Sequence, residues 1–146
     1  MLTTFDPADL PLLPLPTAAG PADATVPRLL IVYTGGTVGM AVNAAGELAP
    51  MELRHLDRQM PELARLSLRL DLLSLPEPID SSNVAPADWL FLARLIGWHY
   101  ADFDGFVVLH GTDTMAYSAA ALSYLLEHLV NIYGQTKWMD YSFQFL

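Results

Sequence analysis

The sequence predicts an α/β protein, a three-layer sandwich with a mainly parallel sheet, and three observations predict it. Two short charge-free runs, LLIVY at 29–33 and FVVL at 106–109, have the continuous apolar character of strands buried on both faces. Each run stops at a polar, glycine-bearing turn, TGGT at 34–37 and HGTDT at 110–114. Segments with helical spacing alternate with the strands, and strand–helix alternation of this kind builds a parallel sheet with helices on its faces.

Taken in order, residues 1–27 are rich in Pro and Ala, and prolines fix φ while removing backbone donors. An extended, partly disordered arm without regular structure is expected there. The first strand begins at Arg28. Leu53, Leu56 and Met60 then recur at helical spacing within 51–60, and Leu66, Leu68, Leu70 and Leu72 alternate as a second strand would. Pro86 suits a first helical turn, after which Trp89, Leu92, Ala93, Ile96 and Tyr100 share one face of a helix of about four turns. A third strand, DFDGFVVLHG, leads into TMAYSAAALSYLLEHL, a run of good helix formers. Residues 131–146 show no clear period and are set apart as a divergent tail, so the α/β domain is bounded at 28–130.

Composition limits the function. At 146 residues, 53% of them apolar, the chain has the length and the apolar content for one domain with a sizeable core. Sixteen acidic against seven basic residues give a net charge of −9, which opposes binding to nucleic acid or to an anionic membrane. Without cysteine there is neither a disulfide framework nor a thiolate metal site. The first 27 residues lack the basic and apolar regions of a signal peptide, and no later run reaches membrane-spanning length, so a cytoplasmic protein is expected. His55, His99 and His128 share no metal-binding spacing, and neither a metal nor a cofactor is expected.

Ligands of parallel sheets bind at the carboxyl ends of the strands. Three polar loops fall at those ends: TGGT, Asp80-Ser81-Ser82 and HGTDT. The pair Gly35-Gly36 also suits a phosphate-binding turn, but GGTVG is not a dinucleotide fingerprint and no Gly-Lys-Ser/Thr follows it. Taken alone, Asp80-Ser81-Ser82 suits an ordinary cap or turn better than a site, and Asp113 suits a helix cap. His110 suits a packed or supporting position better than that of a base. What lifts these motifs is their recurrence at one face, where threonine hydroxyls and a carboxylate can begin a network that activates a nucleophile.

YTGGTVGM at 33–40 and HGTDTMAY at 110–117 resemble the two signature segments of the L-asparaginase family, type I (cytoplasmic) branch, and Asp80-Ser81-Ser82 matches its substrate loop. The likeness runs from about residue 30 to residue 129. It implies that Thr37 is a nucleophile attacking the side-chain amide of L-asparagine, releasing ammonia and leaving a β-aspartyl ester that water hydrolyses. Thr112 and Asp113 then help to bind and activate, Asp113 pairs with the substrate ammonium, and Ser81 and Ser82 hold the α-carboxylate and amine region. The family is homo-oligomeric.

Two departures qualify the resemblance. Gly46-Glu47-Leu48-Ala49-Pro50 replaces the family's Gly-Tyr-x-Pro setting, and Lys137, the one lysine of the chain, stands in the unmatched tail rather than in the family's catalytic segment. The expectation is an incomplete N-terminal asparaginase domain, inactive alone. The alternatives are a non-catalytic small amino-acid or anion-binding module, or an unproductive fragment.

Overall fold

The computed structural model describes residues 5–36, 40–42, 48–50 and 61–127. A four-stranded sheet is built around β2 (Arg28–Tyr33), in the order β1 (Leu12–Leu15), β5 (Arg69–Ser74), β2, β6 (Gly105–Leu109). β5 and β6 flank β2 in parallel, with Ile31 opposite Leu72 on one side and Val107 on the other. β3 (Met40–Val42) and β4 (Leu48–Pro50) form a separate antiparallel ribbon.

β2 has no polar side because both of its faces are covered. Leu30 and Val32 join Leu73, Leu92, Leu95, Ile96, Phe103 and Leu122 on the helical face. Ile31 and Tyr33 join Leu15, Leu63, Leu70 and Leu72 on the other. Burying a side chain of this size contributes roughly 1.5–3 kcal/mol. The expected strand 28–33 is therefore present, with its predicted two-sided burial.

Helix α1 (Pro86–His99) starts with Pro86 in its first turn, as expected, and Asp88 accepts from the Ala85 N–H at 2.9 Å, half of a capping box. Its predicted face is buried at Leu92, Ile96 and Tyr100, and Phe91 and Leu95 widen that stripe. Helix α2 (Met115–Leu125) follows a 3-10 turn at Thr112–Thr114 and buries Leu122. Leu126, just past its end, is buried too.

Two expectations need correction. Residues 1–27 are not without regular structure: Pro7–Asp9 form a 3-10 turn, and β1 (Leu12–Leu15) pairs antiparallel with β5. An edge strand tolerates Pro14 because one side of its backbone needs no ladder partner, and Leu10 and Leu15 are buried in the two cores. The second strand begins at Arg69 rather than near Leu66, because Pro61–Arg65 wind into a 3-10 helix and Leu66 N–H closes onto Leu63 O at 3.1 Å. The helix expected over 51–60 and the tail 131–146 lie outside the described residues. No helix among the described residues is long and apolar enough to cross a membrane.

Candidate active site

The carboxyl ends of β2, β5 and β6 release three loops that are laced together. At the end of β2, Thr34 N–H donates to Leu109 O at 2.9 Å, and Thr34 O accepts from Ile79 N–H at 2.6 Å. Thr34 is fully buried, so these backbone bonds tie the end of β2 to the end of β6 and to the loop after β5 away from water.

Glycine is required directly afterwards. Gly35 (φ 141°) and Gly36 (φ 97°) take positive φ, and a Cβ on Gly35 would collide with the Ile79 carbonyl oxygen. A Cβ on Gly36 would lie 3.2 Å from Gly111 Cα. Tyr33 OH reaches forward to Gly36 O at 2.9 Å and closes the turn. Thr37, the next residue along the motif, lies outside the described residues.

The second and third loops meet through side chains. Ser81, which is buried, donates from Oγ to Asp113 Oδ2 at 3.1 Å. Thr114 Oγ1 donates to Ser81 O at 2.7 Å. The approach depends on Gly111, whose missing side chain leaves the space that Ser81 Oγ and Cβ occupy. Asp113 does not cap α2: no side-chain cap bond forms at that helix start, and its carboxylate turns to Ser81 instead.

Asp80 has the local role of capping the 3-10 turn Ser81–Asn83. Its carboxylate accepts from Ser82 N–H at 3.0 Å, from Ser82 Oγ at 2.8 Å and from Asn83 Nδ2 at 2.9 Å. The Ser82 hydrogen bonds hold the Asp80 carboxyl below the usual carboxylate range. Of the six candidate residues, the structure joins Ser81 to Asp113 and Asp80 to Ser82; Thr112 stands exposed beside Asp113 in the same turn.

A polar cluster lies beneath these loops. His110 Nδ1 is 2.8 Å from Thr34 Oγ1, and its Nε2 is 3.0 Å from Ser118 Oγ, which Trp89 Nε1 also meets at 2.9 Å. Burial pushes the His110 imidazole below its ordinary range, toward the neutral form. Sequence reasoning missed Ser118 and Trp89. The available signal was the i, i+4 spacing that sets Ser118 on the same helical face as Thr114, directly above the loop.

The arrangement offers an exposed carboxylate, Asp113, beside a buried hydroxyl, Ser81, next to a turn whose backbone can approach a ligand closely. Among the described residues there is no cluster of three or more His, Cys, Asp or Glu side chains placed for a metal.

Residues 28–131 match the asparaginase N-terminal domain model. L-asparaginase 1 of Escherichia coli strain K12 is 47% identical over 105 residues, covering 69% of this chain and 30% of its own. The 60 kDa lysophospholipase of Homo sapiens is 42% identical over 125 residues, covering 70% of this chain and 22% of its own. The crystal structure of L-asparaginase I from Vibrio cholerae superposes with a TM-score of 0.59 at 39% identity, over 68% of this chain and 30% of that one. The chain thus spans under a third of the length of these relatives. Its matched segment carries the parallel strands β2, β5 and β6 and the three laced loops, and the chain belongs to the asparaginase family.

Proposed function

We propose that this chain carries the amino-terminal part of an asparaginase-type amidohydrolase site, with L-asparagine as substrate. The observation that carries this reading is the Ser81–Asp113 hydrogen bond, which brings two of the three motif loops together beside the Gly35-Gly36 turn. In this reading Thr37 attacks the side-chain amide carbon, ammonia leaves, and water hydrolyses the resulting β-aspartyl ester. Asp113 pairs with the substrate ammonium, Thr112 helps to bind and activate, and Ser81 and Ser82 hold the α-carboxylate and amine region. Asp80 holds Ser82 in place through the turn. The absence of cysteine suits a reducing cytoplasm as the place of action.

In this reading the described loops form the part of the site that binds the substrate's α-carboxylate and ammonium. L-aspartate and L-asparagine binding would be followed by calorimetry, and ammonia release by an enzyme-coupled assay. Binding that falls at least about tenfold in Asp113→Asn supports the ammonium contact, since a charge-assisted bond is worth about 1.5–3 kcal/mol. No binding of either amino acid overturns the reading. Ammonia release above that of Thr37→Ala would assign turnover to this chain by itself.

A further inference from the structure

We infer that His110 is a positioning residue of this site: as a neutral imidazole with its proton on Nδ1, it forms the middle of a one-way hydrogen-bond chain that holds the Thr34-Gly35-Gly36 turn against the HGTDT loop. The site it positions is the one proposed above, so its functional meaning rests on that reading, whereas its chemistry does not.

The direction of the chain is set at its Leu109 end, and the Trp89 end is compatible with it. At one end Trp89 Nε1–H can only donate, and it meets Ser118 Oγ at 2.9 Å. Ser118 therefore accepts there, and its own proton is free to donate to His110 Nε2 at 3.0 Å. At the other end the Leu109 carbonyl can only accept, and Thr34 Oγ1 lies 3.0 Å from it. That contact uses the single Thr34 hydroxyl proton. His110 Nδ1, 2.8 Å from the same oxygen, must then be the donor.

Both ends meet on one ring and are compatible. A neutral imidazole has one N–H and one bare nitrogen; here Nδ1 carries the proton and Nε2 accepts. Trp89, Ser118, His110, Thr34 and Leu109 are thus joined with each shared proton assigned once. The opposite tautomer would make Ser118 Oγ accept twice, from Trp89 and from Nε2–H, and turn the serine proton away from His110. It would also leave Nδ1 to compete with the Leu109 carbonyl for one hydroxyl proton, beside a threonine with no access to water.

No formal charge is part of the chain. Asp113 accepts from Ser81, Asp80 from Ser82 and Asn83, and the Thr114 proton goes to Ser81 O, leaving Thr114 Oγ1 at 3.4 Å from Nε2. The chain starts on α1, passes through α2, the loop after β6 and the turn after β2, and ends on the Leu109 carbonyl of β6. A change at His110 is therefore transmitted to Thr34, whose carbonyl also holds Ile79 of the second loop.

Ring-nitrogen NMR of the full chain at neutral pH tests the assignment. A protonated His110 Nδ1 with an unprotonated Nε2 is expected; an Nε2–H ring overturns the proposal. Thr34→Val keeps the shape and removes the acceptor, and should convert the ring to Nε2–H, whereas a ring that stays Nδ1–H also overturns it. Positioning is read by amide exchange. His110→Ala should lower protection at Thr34 and Ile79 about tenfold relative to Arg69 and Asp104, the effect of one buried hydrogen bond, and His110→Asn should restore part of it by returning a donor near Nδ1. Equal loss at all four amides, or no rescue, overturns the positioning role. L-aspartate affinity measured on the same variants keeps the two ideas apart. If the parent chain does not bind L-aspartate, the proposed function fails while the tautomer and exchange results still decide this one.

Discussion

The two ends of the parallel strands are held in different ways. At the amino end the ties are charged: Arg28 Nε pairs with Asp71 Oδ2 at 2.7 Å, its backbone N–H donates to Asp104 Oδ2 at 2.8 Å, and its guanidinium sits 4.4 Å over the Phe103 ring. At the carboxyl end the ties from Thr34 through His110 to Ser118 and Trp89 are neutral hydroxyl, imidazole and indole bonds. Under the proposed function the difference has a sense. A charged tie near a ligand site would compete for the ligand's own charges, whereas a neutral one leaves the Asp113 carboxylate available to an ammonium group.

The largest contrast should come from adding one methyl group at each end. Gly35→Ala sets a Cβ against the Ile79 backbone at positive φ and should cost about 3 kcal/mol or more, seen as a lower urea midpoint. Gly105→Ala meets only the far end of the Leu29 side chain, at 2.9 Å, and should change stability by less than about 1 kcal/mol. Similar costs at both ends would mean that the carboxyl-end turn can relax and is not a fixed frame for Thr37.

Removing one tie from each end should give intermediate effects. Arg28→Ala leaves the buried Asp71 carboxylate unpaired and should cost about 2 kcal/mol, less than for a fully buried pair because the guanidinium keeps access to water. Asp71→Asn in the same chain should return part of that loss. Ser118→Ala leaves Trp89 Nε1 and His110 Nε2 without this partner and should cost about 1 kcal/mol, with no rescue from the amino end. A double-mutant cycle between Arg28 and Ser118 should show additivity, since the two sites share no partner.

The smallest effect is in pH, and both ends contribute with the same sign. Burial lowers His110, and burial, with Arg28 nearby and Asp102 opposing, lowers His99 beside Phe103. Each folded value lies below the ordinary 6.5, so on acidification the unfolded chain binds protons that the folded chain refuses. Stability is full above that value and falls as pH drops below it toward the folded values. The pH dependence of the urea midpoint should flatten partly in His110→Asn, and an unchanged slope would assign the dependence to the amino end.

The parts of the fold legible in sequence are those whose burial is complete or strictly periodic. β2 reads as a strand because Leu30 and Val32 face one core while Ile31 and Tyr33 face the other, and α1 reads as a helix because Pro86 opens it and Leu92, Ile96 and Tyr100 recur on one side. β1 was illegible, since Pro11, Pro14 and Pro16 argue against a strand unless an uncovered sheet edge is already known to be waiting for it. The start of β5 was misplaced because the leucine alternation runs into a 3-10 turn whose residues obey no two-residue period.

By itself, the sequence determined the strand–helix order and the three motif loops, along with the family to which they belong, because burial patterns and glycine requirements act over a few residues. Only the tertiary structure decided which residues of those loops touch. Ser81 reaches Asp113 across 32 positions of chain, and His110 reaches Thr34 across 76. Contacts of that separation depend on the order β1-β5-β2-β6, which brings three strand ends side by side, and no local pattern encodes a neighbour that the sheet alone supplies.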